Sequence, residues 1–113
     1  MARDQELFLE DIRDSIGYIE QYIQDLTFEE FRSKQAIIDA VVRRIEIIGE
    51  AANNISDDLQ KQHPDIEWSA MVKMRNIIAH EYFGVNPKIV WATATQDIPR
   101  LKELLGKIKS EHE

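Results

Sequence analysis

Cysteine is absent from this chain of 113 residues. A disulfide framework, a thiolate nucleophile and a cysteine-ligated zinc site are therefore all excluded. The sequence also lacks any apolar run near the roughly 20 residues that a membrane-spanning helix needs, and its first residues are charged rather than hydrophobic. These absences predict neither secretion nor membrane insertion, and they favour a protein of the reducing cytoplasm.

Positive charge is scarce, because 21 acidic residues outnumber 14 lysines and arginines and leave a net charge of −7 at pH 7. Such a charge opposes nonspecific attraction to phosphate backbones, so any contact with nucleic acid has to be local. The sequence has neither a glycine-rich phosphate loop nor a serine nucleophile elbow. His63 and His112 lack the convergent spacing that a metal site needs, so we predict no metal and no other cofactor.

Apolar residues at helical spacing dominate what the sequence does contain. The first amphipathic stripe recurs at steps of three or four residues and consists of Phe8, Ile12, Ile16, Ile19, Ile23 and Leu26. Further helical patterns begin near Ser33, Trp68 and Pro87. Since 43% hydrophobic residues supply a single core, the sequence predicts one all-α domain over residues 1–113, a four-to-five-helix up-and-down bundle with a fraying tail from Lys109.

Local signals predict where these helices begin, end and meet. Thr27 and Glu30 have the spacing of a capping box, and Ser33 is expected to cap the next helix. That second helix contains Gly49, which costs about 1 kcal/mol relative to alanine and therefore indicates a close approach by another helix. Pro99 predicts a kink or a break near the end of the chain. The second helix is apolar over so much of its surface that we expect it to form a homodimer interface.

The densest group of reactive side chains lies between Arg75 and Tyr82. At 100° per residue, Asn76 and His80 lie about 40° apart on a helix, so the amide can orient the imidazole. Arginine presents a permanently charged fork that suits a phosphate, and histidine transfers protons near neutral pH. The pattern therefore suits cleavage of a phosphodiester. A second interpretation stays open, in which Arg75 and His80 are surface cations near a helix C-terminus.

This segment resembles the R-N-x-x-x-H-x-Y signature of HEPN domains, specifically that of the HepT-like toxin group, at Arg75, Asn76, His80 and Tyr82. The similarity covers nearly the whole chain and includes Ile48-Gly49-Glu50-Ala51-Ala52-Asn53-Asn54, Trp68, Val90-Trp91 and Asp97-Ile98-Pro99. The arginine-to-histidine spacing alone is a weak signal. The tyrosine two residues after the histidine and the upstream Gly-Glu-Ala-Ala block make the resemblance specific.

The resemblance implies a helical bundle that dimerises, brings two copies of the motif into one cleft and cleaves RNA as a metal-independent endoribonuclease. His80 would move protons as an RNA 2′-hydroxyl attacks the adjacent phosphorus, and Arg75 would stabilise the developing charge. Asn76 would orient the site. A cognate minimal nucleotidyltransferase would serve as the antitoxin and would modify Tyr82 with adenylyl groups, which makes the chain the toxin of a toxin-antitoxin pair.

Two residues of the second helix are candidate supporting groups. Glu50 would hold the guanidinium of Arg75 in place if the two approach, and otherwise it is an exposed helix charge. Asn53 lies about one turn further on and either supports the site or serves helix capping and packing.

Basic and aromatic residues outside the motif allow similar alternatives. Lys73, Arg43 and Arg44 either supply the local positive charge that RNA needs or form a solvated helix face. Trp68 and Trp91 could stack on RNA bases, but we expect both in the core.

A second class of function remains open, that of a non-catalytic helical subunit which docks on a nucleotidyltransferase and receives a nucleotide on Tyr82. The acidic net charge favours a protein partner over RNA. A positive potential around the motif would favour the ribonuclease, whereas an acidic cleft would favour the binding subunit.

Overall fold

The computed structural model describes residues 3–79 and 86–108, and within these ranges the chain is helical with connecting turns and no strand. The helices are α1 (Arg3–Ile23), α2 (Phe28–Arg32), α3 (Gln35–Asn53), α4 (Asp57–Gln62), α5 (Trp68–Ala79), α6 (Pro87–Ala92) and α7 (Ile98–Leu105), with a π-helical turn, Thr93–Asp97, between the last two. The four long units α1, α3, α5 and α6 through α7 form a bundle, which confirms the predicted all-α fold. None of the described helices is long and apolar enough to cross a bilayer.

The core lies around α3, which packs most extensively against α1 and α5. The centre of the stripe predicted for α1 is buried, at Ile12, Ile16 and Ile19. Its ends, Phe8, Ile23 and Leu26, are half-buried, and Leu26 lies beyond the helix. On α3 the buried apolar residues again recur at helical spacing and include Ile38, Val41, Ile45, Ile48 and Ala52. Each large side chain buried in this way contributes about 1.5–3 kcal/mol, so the periodic apolar positions largely determine how the helices associate.

The corner between α1 and α2 is fixed by short-range hydrogen bonds. Asp25 adopts a left-handed backbone with φ of 61°, a conformation that a short polar side chain tolerates. Two residues later the predicted capping box is confirmed, because the Glu30 amide donates to Thr27 Oγ1 at 3.2 Å and the Thr27 amide donates to Glu30 Oε1 at 2.9 Å. The backbone hydrogen bond from Thr27 is the main cause that holds the pKa of the Glu30 carboxyl below its ordinary value of 4.5.

The expectation that Ser33 caps the second long helix is wrong. Ser33 instead closes α2, where its hydroxyl donates to the Glu30 carbonyl at 2.8 Å. α3 starts after Lys34, whose side chain makes no capping hydrogen bond. A serine one residue too early is already engaged by the preceding helical turn and cannot serve the next one.

The apolar surface of α3 is covered more completely than its composition suggests. The exposed large apolar side chains among the described residues are Leu7, Tyr18, Ile77 and Ile89, and none of them lies on α3. α1 and α5 both pack against α3, whereas Ile37, Val42 and Ile47 stay half-buried. The homodimer interface expected on this helix stays a prediction. Ile77, 44% exposed, lies on α5 within the segment that holds the motif.

The disruption predicted at Pro99 takes the form of a π-helical turn. Proline has no amide hydrogen, and its ring crowds the carbonyl four residues earlier, that of Thr95. In the preceding turn the Ile98 amide donates to the Thr93 carbonyl, five residues back. The helix widens locally and then continues as α7. Pro99 therefore changes the spacing of the backbone hydrogen bonds without ending the helical unit.

Candidate functional site

The described candidate residues Arg75 and Asn76 lie on α5, whereas Glu50 and Asn53 lie on α3. A buried tryptophan anchors the start of α5. Trp68 is 5% exposed, and its indole Nε1 donates to the His63 carbonyl at 3.2 Å. Trp91 is half-buried, with its ring centroid 5.0 Å from that of Phe31. The core placement predicted for Trp68 is therefore confirmed, and Trp91 packs against the core while half-buried. Trp68 fixes the beginning of α5 relative to the rest of the bundle.

Gly49 marks a point of very close approach between α3 and α5. A β-carbon added at Gly49 would collide with the β-carbon of Arg75 and would lie 2.9 Å from the carbonyl oxygen of Met71. Only a residue without a side chain lets the two helix backbones meet at this distance. The close approach predicted from Gly49 is confirmed, and the helix against which it packs is the one that holds Arg75.

The guanidinium of Arg75 is held by the neighbouring amide. Both Nε and Nη2 of Arg75 donate to Oδ1 of Asn76, at 3.1 and 2.9 Å. Arg75 is half-buried and Asn76 is exposed. Two of the five N–H donors of the guanidinium are thereby fixed in direction, and such an oriented cation is suited to a phosphate oxygen.

The remaining members of the predicted motif, His80 and Tyr82, lie outside the described residues. The same holds for the tail predicted from Lys109 onwards. The described partner of the Asn76 carbonyl oxygen is Arg75, whereas the sequence predicts that the amide orients His80.

Asn53 and Asn76 are brought to the same cavity, although they are separated by 23 positions in the chain. We call this cavity of about 360 Å³ the amide groove. Its described lining comes from α3, α4 and α5 and consists of Ala52, Asn53, Gln60, Trp68, Ser69, Val72, Lys73 and Asn76. Gln60 and Ser69 were missed by sequence reasoning, because a single polar residue on a short helix or at a helix start gives no periodic or motif signal.

Glu50 is exposed, and no ion pair joins it to Arg75. Its backbone carbonyl accepts a hydrogen bond from the Asn54 side chain at 2.8 Å near the end of α3. The guanidinium of Arg75 is instead positioned by Asn76 and by the contact with Gly49.

The basic residues named as possible RNA contacts separate into two places. Lys73 lies on α5 and lines the amide groove. Arg43 and Arg44 lie on α3. Arg43 is exposed, and the guanidinium carbon of Arg44 lies 4.3 Å from the centre of the Tyr18 ring on α1, a cation–π contact. Of the three, Lys73 is the one that lines the same cavity as Asn76.

A second cavity, of about 180 Å³, lies between α3, α5 and α7 and has a different character. Its lining is mainly apolar, with Ile45, Met71 and Leu101 among its members, and it includes the carboxylates of Glu67 and Asp97. No group of three or more histidine, aspartate or glutamate side chains in the described residues is arranged to hold a metal ion.

A family model described as Ribonuclease HepT-like matches residues 12–108. The chain therefore belongs to the HepT-like family, and the resemblance drawn from the motif is confirmed.

Individual relatives support the same assignment. The chain is similar to "Probable ribonuclease HepT" of Thermococcus cleftensis, with 40% identity over 109 residues that cover 96% of this chain and 99% of that protein. It is similar to "Putative RNase MJ1380" of Methanocaldococcus jannaschii, with 37% identity over 101 residues, 89% of this chain and 93% of the relative. It also matches half the length of "Gamma-glutamylcyclotransferase and putative RNase MJ0434" from the same organism, at 40% identity over 111 residues. No solved structure is significantly similar to the chain.

Proposed function

We propose that this protein is a metal-independent endoribonuclease whose catalytic residues are Arg75, Asn76 and His80. The observation that carries the proposal is the fixed guanidinium of Arg75, held by Asn76 Oδ1 at the crossing of α3 and α5. A preorganised cation aimed at developing charge is commonly the largest single contribution to catalysis. Membership of the HepT-like family and the names of the relatives support RNA as the substrate.

The proposed reaction is an internal transfer within the RNA. His80 takes the proton of a 2′-hydroxyl, and the 2′-oxygen forms a bond to the adjacent phosphorus. Negative charge builds on the non-bridging oxygens of the phosphate, and the guanidinium of Arg75 donates hydrogen bonds to these oxygens. The bond from phosphorus to the 5′-oxygen then breaks, and that oxygen takes a proton from the protonated His80, giving a 2′,3′-cyclic phosphate and a 5′-hydroxyl. The RNA supplies the nucleophile and His80 of the protein carries the proton, so the reaction requires no metal-bound water.

In this proposal the protein is the toxin of a toxin-antitoxin pair, and a minimal nucleotidyltransferase is its antitoxin. Adenylylation of Tyr82 would add negative phosphate and a bulky base within two helical turns of Arg75, and so would oppose RNA binding by charge and by volume. Co-expression with the cognate nucleotidyltransferase followed by mass spectrometry tests this step. Adenylyl mass on the peptide that contains Tyr82 is the expected result, and mass on another residue or on none contradicts it.

The alternative, a non-catalytic helical subunit of a nucleotidyltransferase complex, is favoured by the net charge of −7. The local charge beside the site favours the ribonuclease. Among the described residues that line the amide groove, Lys73 is charged and none is a carboxylate. The neighbouring cavity that shares Lys73 is also lined by Asp57 and Glu67. RNA would therefore enter at the groove, the less acidic part of this surface.

The proposal is tested with purified protein and mixed cellular RNA in the presence of a chelator. Cleavage should proceed, and His80→Ala should lower its rate by about 10²–10⁴-fold, which is the usual contribution of positioned proton transfer. Arg75→Ala should be comparably impaired. Arg32→Ala is the matched control, because Arg32 forms an exposed ion pair with Glu29 on α2. This variant should cleave RNA like the wild type. Full activity of His80→Ala would reject the assignment and leave the binding subunit as the better account.

A further inference from the structure

The amide groove continues directly from the Arg75 and Asn76 pair. Asn76 takes part in both, since its Oδ1 accepts from Arg75 and its side chain lines the groove. A volume of about 360 Å³ lies in the range of small-ligand pockets. A group bound there would contact Asn76, the residue that holds the guanidinium of Arg75.

The charge of the groove distinguishes it from the rest of the molecule. Acidic residues outnumber basic ones by 21 to 14 in the chain, yet the described lining of the groove holds Lys73 and no carboxylate. The neighbouring apolar cavity, by contrast, is lined by Glu67 and Asp97 as well as Arg100. A larger cavity that shares Lys73 with the groove is also lined by Asp57 and Glu67. The groove is therefore the less acidic part of this surface and the part that a polyanion would enter.

The polar groups of the groove suit the edges of nucleobases. Asparagine and glutamine each offer a carbonyl acceptor and an amino donor, and such amides pair with base edges. Asn76 uses its carbonyl oxygen for Arg75, which leaves its amino group to donate. Gln60 uses its amino group for the Ile55 carbonyl at 3.1 Å, which leaves its carbonyl oxygen to accept. The groove therefore offers donors and acceptors of both kinds, with Asn53 across from Asn76 on another helix.

We propose that the amide groove binds the nucleotide next to the scissile phosphate of single-stranded RNA. This inference rests on the proposed ribonuclease function and names its substrate class. Base edges are open to side chains of this kind when the base is unpaired, whereas the deep major groove of an RNA duplex conceals them. Lys73 contacts the phosphate that follows, and Asn53 hydrogen-bonds the base.

Binding of labelled single-stranded RNA oligonucleotides to the His80→Ala protein tests the groove without cleavage of the probe. Asn53→Ala should weaken binding about fivefold or more, as expected for one lost hydrogen bond to the ligand. Asn54→Ala is the matched control, because Asn54 is the adjacent exposed amide, bonds to the Glu50 carbonyl and does not line the groove. It should stay within about twofold of the parent protein.

The salt dependence of RNA affinity tests the role of Lys73 independently. Loss of one phosphate contact lowers the slope of log affinity against log salt by about 0.7 for a single strand. Lys73→Ala should show this change, and Lys107→Ala, an exposed lysine beyond α7, should not.

The outcomes separate the groove from the reaction. If Asn53→Ala and Lys73→Ala bind RNA like their two controls, the groove proposal is overturned, and cleavage by the wild type would leave the ribonuclease in place. If the wild type fails to cut RNA while both variants weaken binding, the groove is upheld as a site for single-stranded RNA and the ribonuclease is rejected. A duplex bound as tightly as the single strand would also overturn the proposal.

Discussion

At the residue scale, the site depends on a glycine that has no chemistry of its own. Gly49 lets α5 approach α3 so closely that the two backbones set the position of Arg75. Asn76 then restricts the guanidinium through two hydrogen bonds to one oxygen. The position of the Arg75 cation is therefore determined by packing before any ligand binds, which is the condition for electrostatic preorganisation in the proposed reaction.

Gly49→Ala is expected to destabilise the fold and to impair cleavage more strongly. The new β-carbon collides with Arg75 and with the Met71 backbone, and overpacking of about 1–3 kcal/mol exceeds the helix-propensity gain of about 1 kcal/mol. A shift of Arg75 by about 1 Å lowers activity by about 10²-fold. Urea unfolding and RNA cleavage assays measure the two effects.

Gly17→Ala is the matched control on α1. A β-carbon there meets nothing within 4 Å, so the same substitution should raise the free energy of unfolding by about 0.5–1 kcal/mol and leave cleavage unchanged. Equal effects of the two substitutions would contradict the role assigned to Gly49.

At the element scale, helix ends and buried faces could be predicted wherever three or four neighbouring residues decide them. The capping box of Thr27 and Glu30 and the apolar stripe of α1 are of this kind, because each depends on spacing within one element. Ser33 shows where such local prediction fails. Its spacing suits the end of α2 and the start of α3 equally, and its hydroxyl donates to the Glu30 carbonyl of α2. The π turn before Pro99 likewise depends on how the chain rearranges around a missing donor.

The capping box gives a prediction for the acid range. Since the pKa of Glu30 is lowered in the folded state, its carboxylate contributes stability above the ordinary pKa of 4.5 and loses it as the pH falls through the folded value. Glu30→Gln removes this dependence but retains a side chain that can accept from Thr27. The wild type should have the larger free energy of unfolding near pH 7, and the difference between the two proteins should disappear near pH 3.

Thr27→Ala provides the companion measurement on the same box. It removes the hydroxyl that accepts from the Glu30 amide, at a cost of about 1 kcal/mol. The charge of Glu30 would contribute nothing to stability if the difference in free energy of unfolding between the wild type and Glu30→Gln stayed constant from pH 7 to about pH 3.

At the scale of the whole molecule, the meeting of Asn53, Gln60 and Asn76 could not be predicted from the sequence. Each lies on a different helix, and their common cavity follows from how α3, α4 and α5 cross. The coverage of α3 escaped prediction for the same reason, because apolar composition does not state which neighbours pack on a helix. Arg75 and Asn76 could be predicted because neighbours along one helix share a local geometry.

The homodimer stays a prediction, and α5 offers a surface for it in addition to α3. Ile77 is 44% exposed on α5 within the motif segment, and exposed apolar residues of this kind commonly anchor an interface. Light scattering should give a dimer at micromolar concentration, and Ile77→Lys should give a monomer. Leu7→Lys, at a similarly exposed position on α1, should remain dimeric. A monomeric wild type would exclude the dimer, and a dimeric Ile77→Lys would place the interface elsewhere.

The chemical form of the new RNA ends tests the central claim most directly. Mass spectrometry of oligonucleotides cut in a chelator should find a 2′,3′-cyclic phosphate on one fragment and a 5′-hydroxyl on the other. A single 2′-deoxyribose at the scissile position should abolish the cut, because it removes the attacking oxygen. Fragments that carry a 3′-hydroxyl and a 5′-phosphate, or a cut that persists at the deoxyribose, would contradict attack by the 2′-hydroxyl assisted by Arg75 and His80.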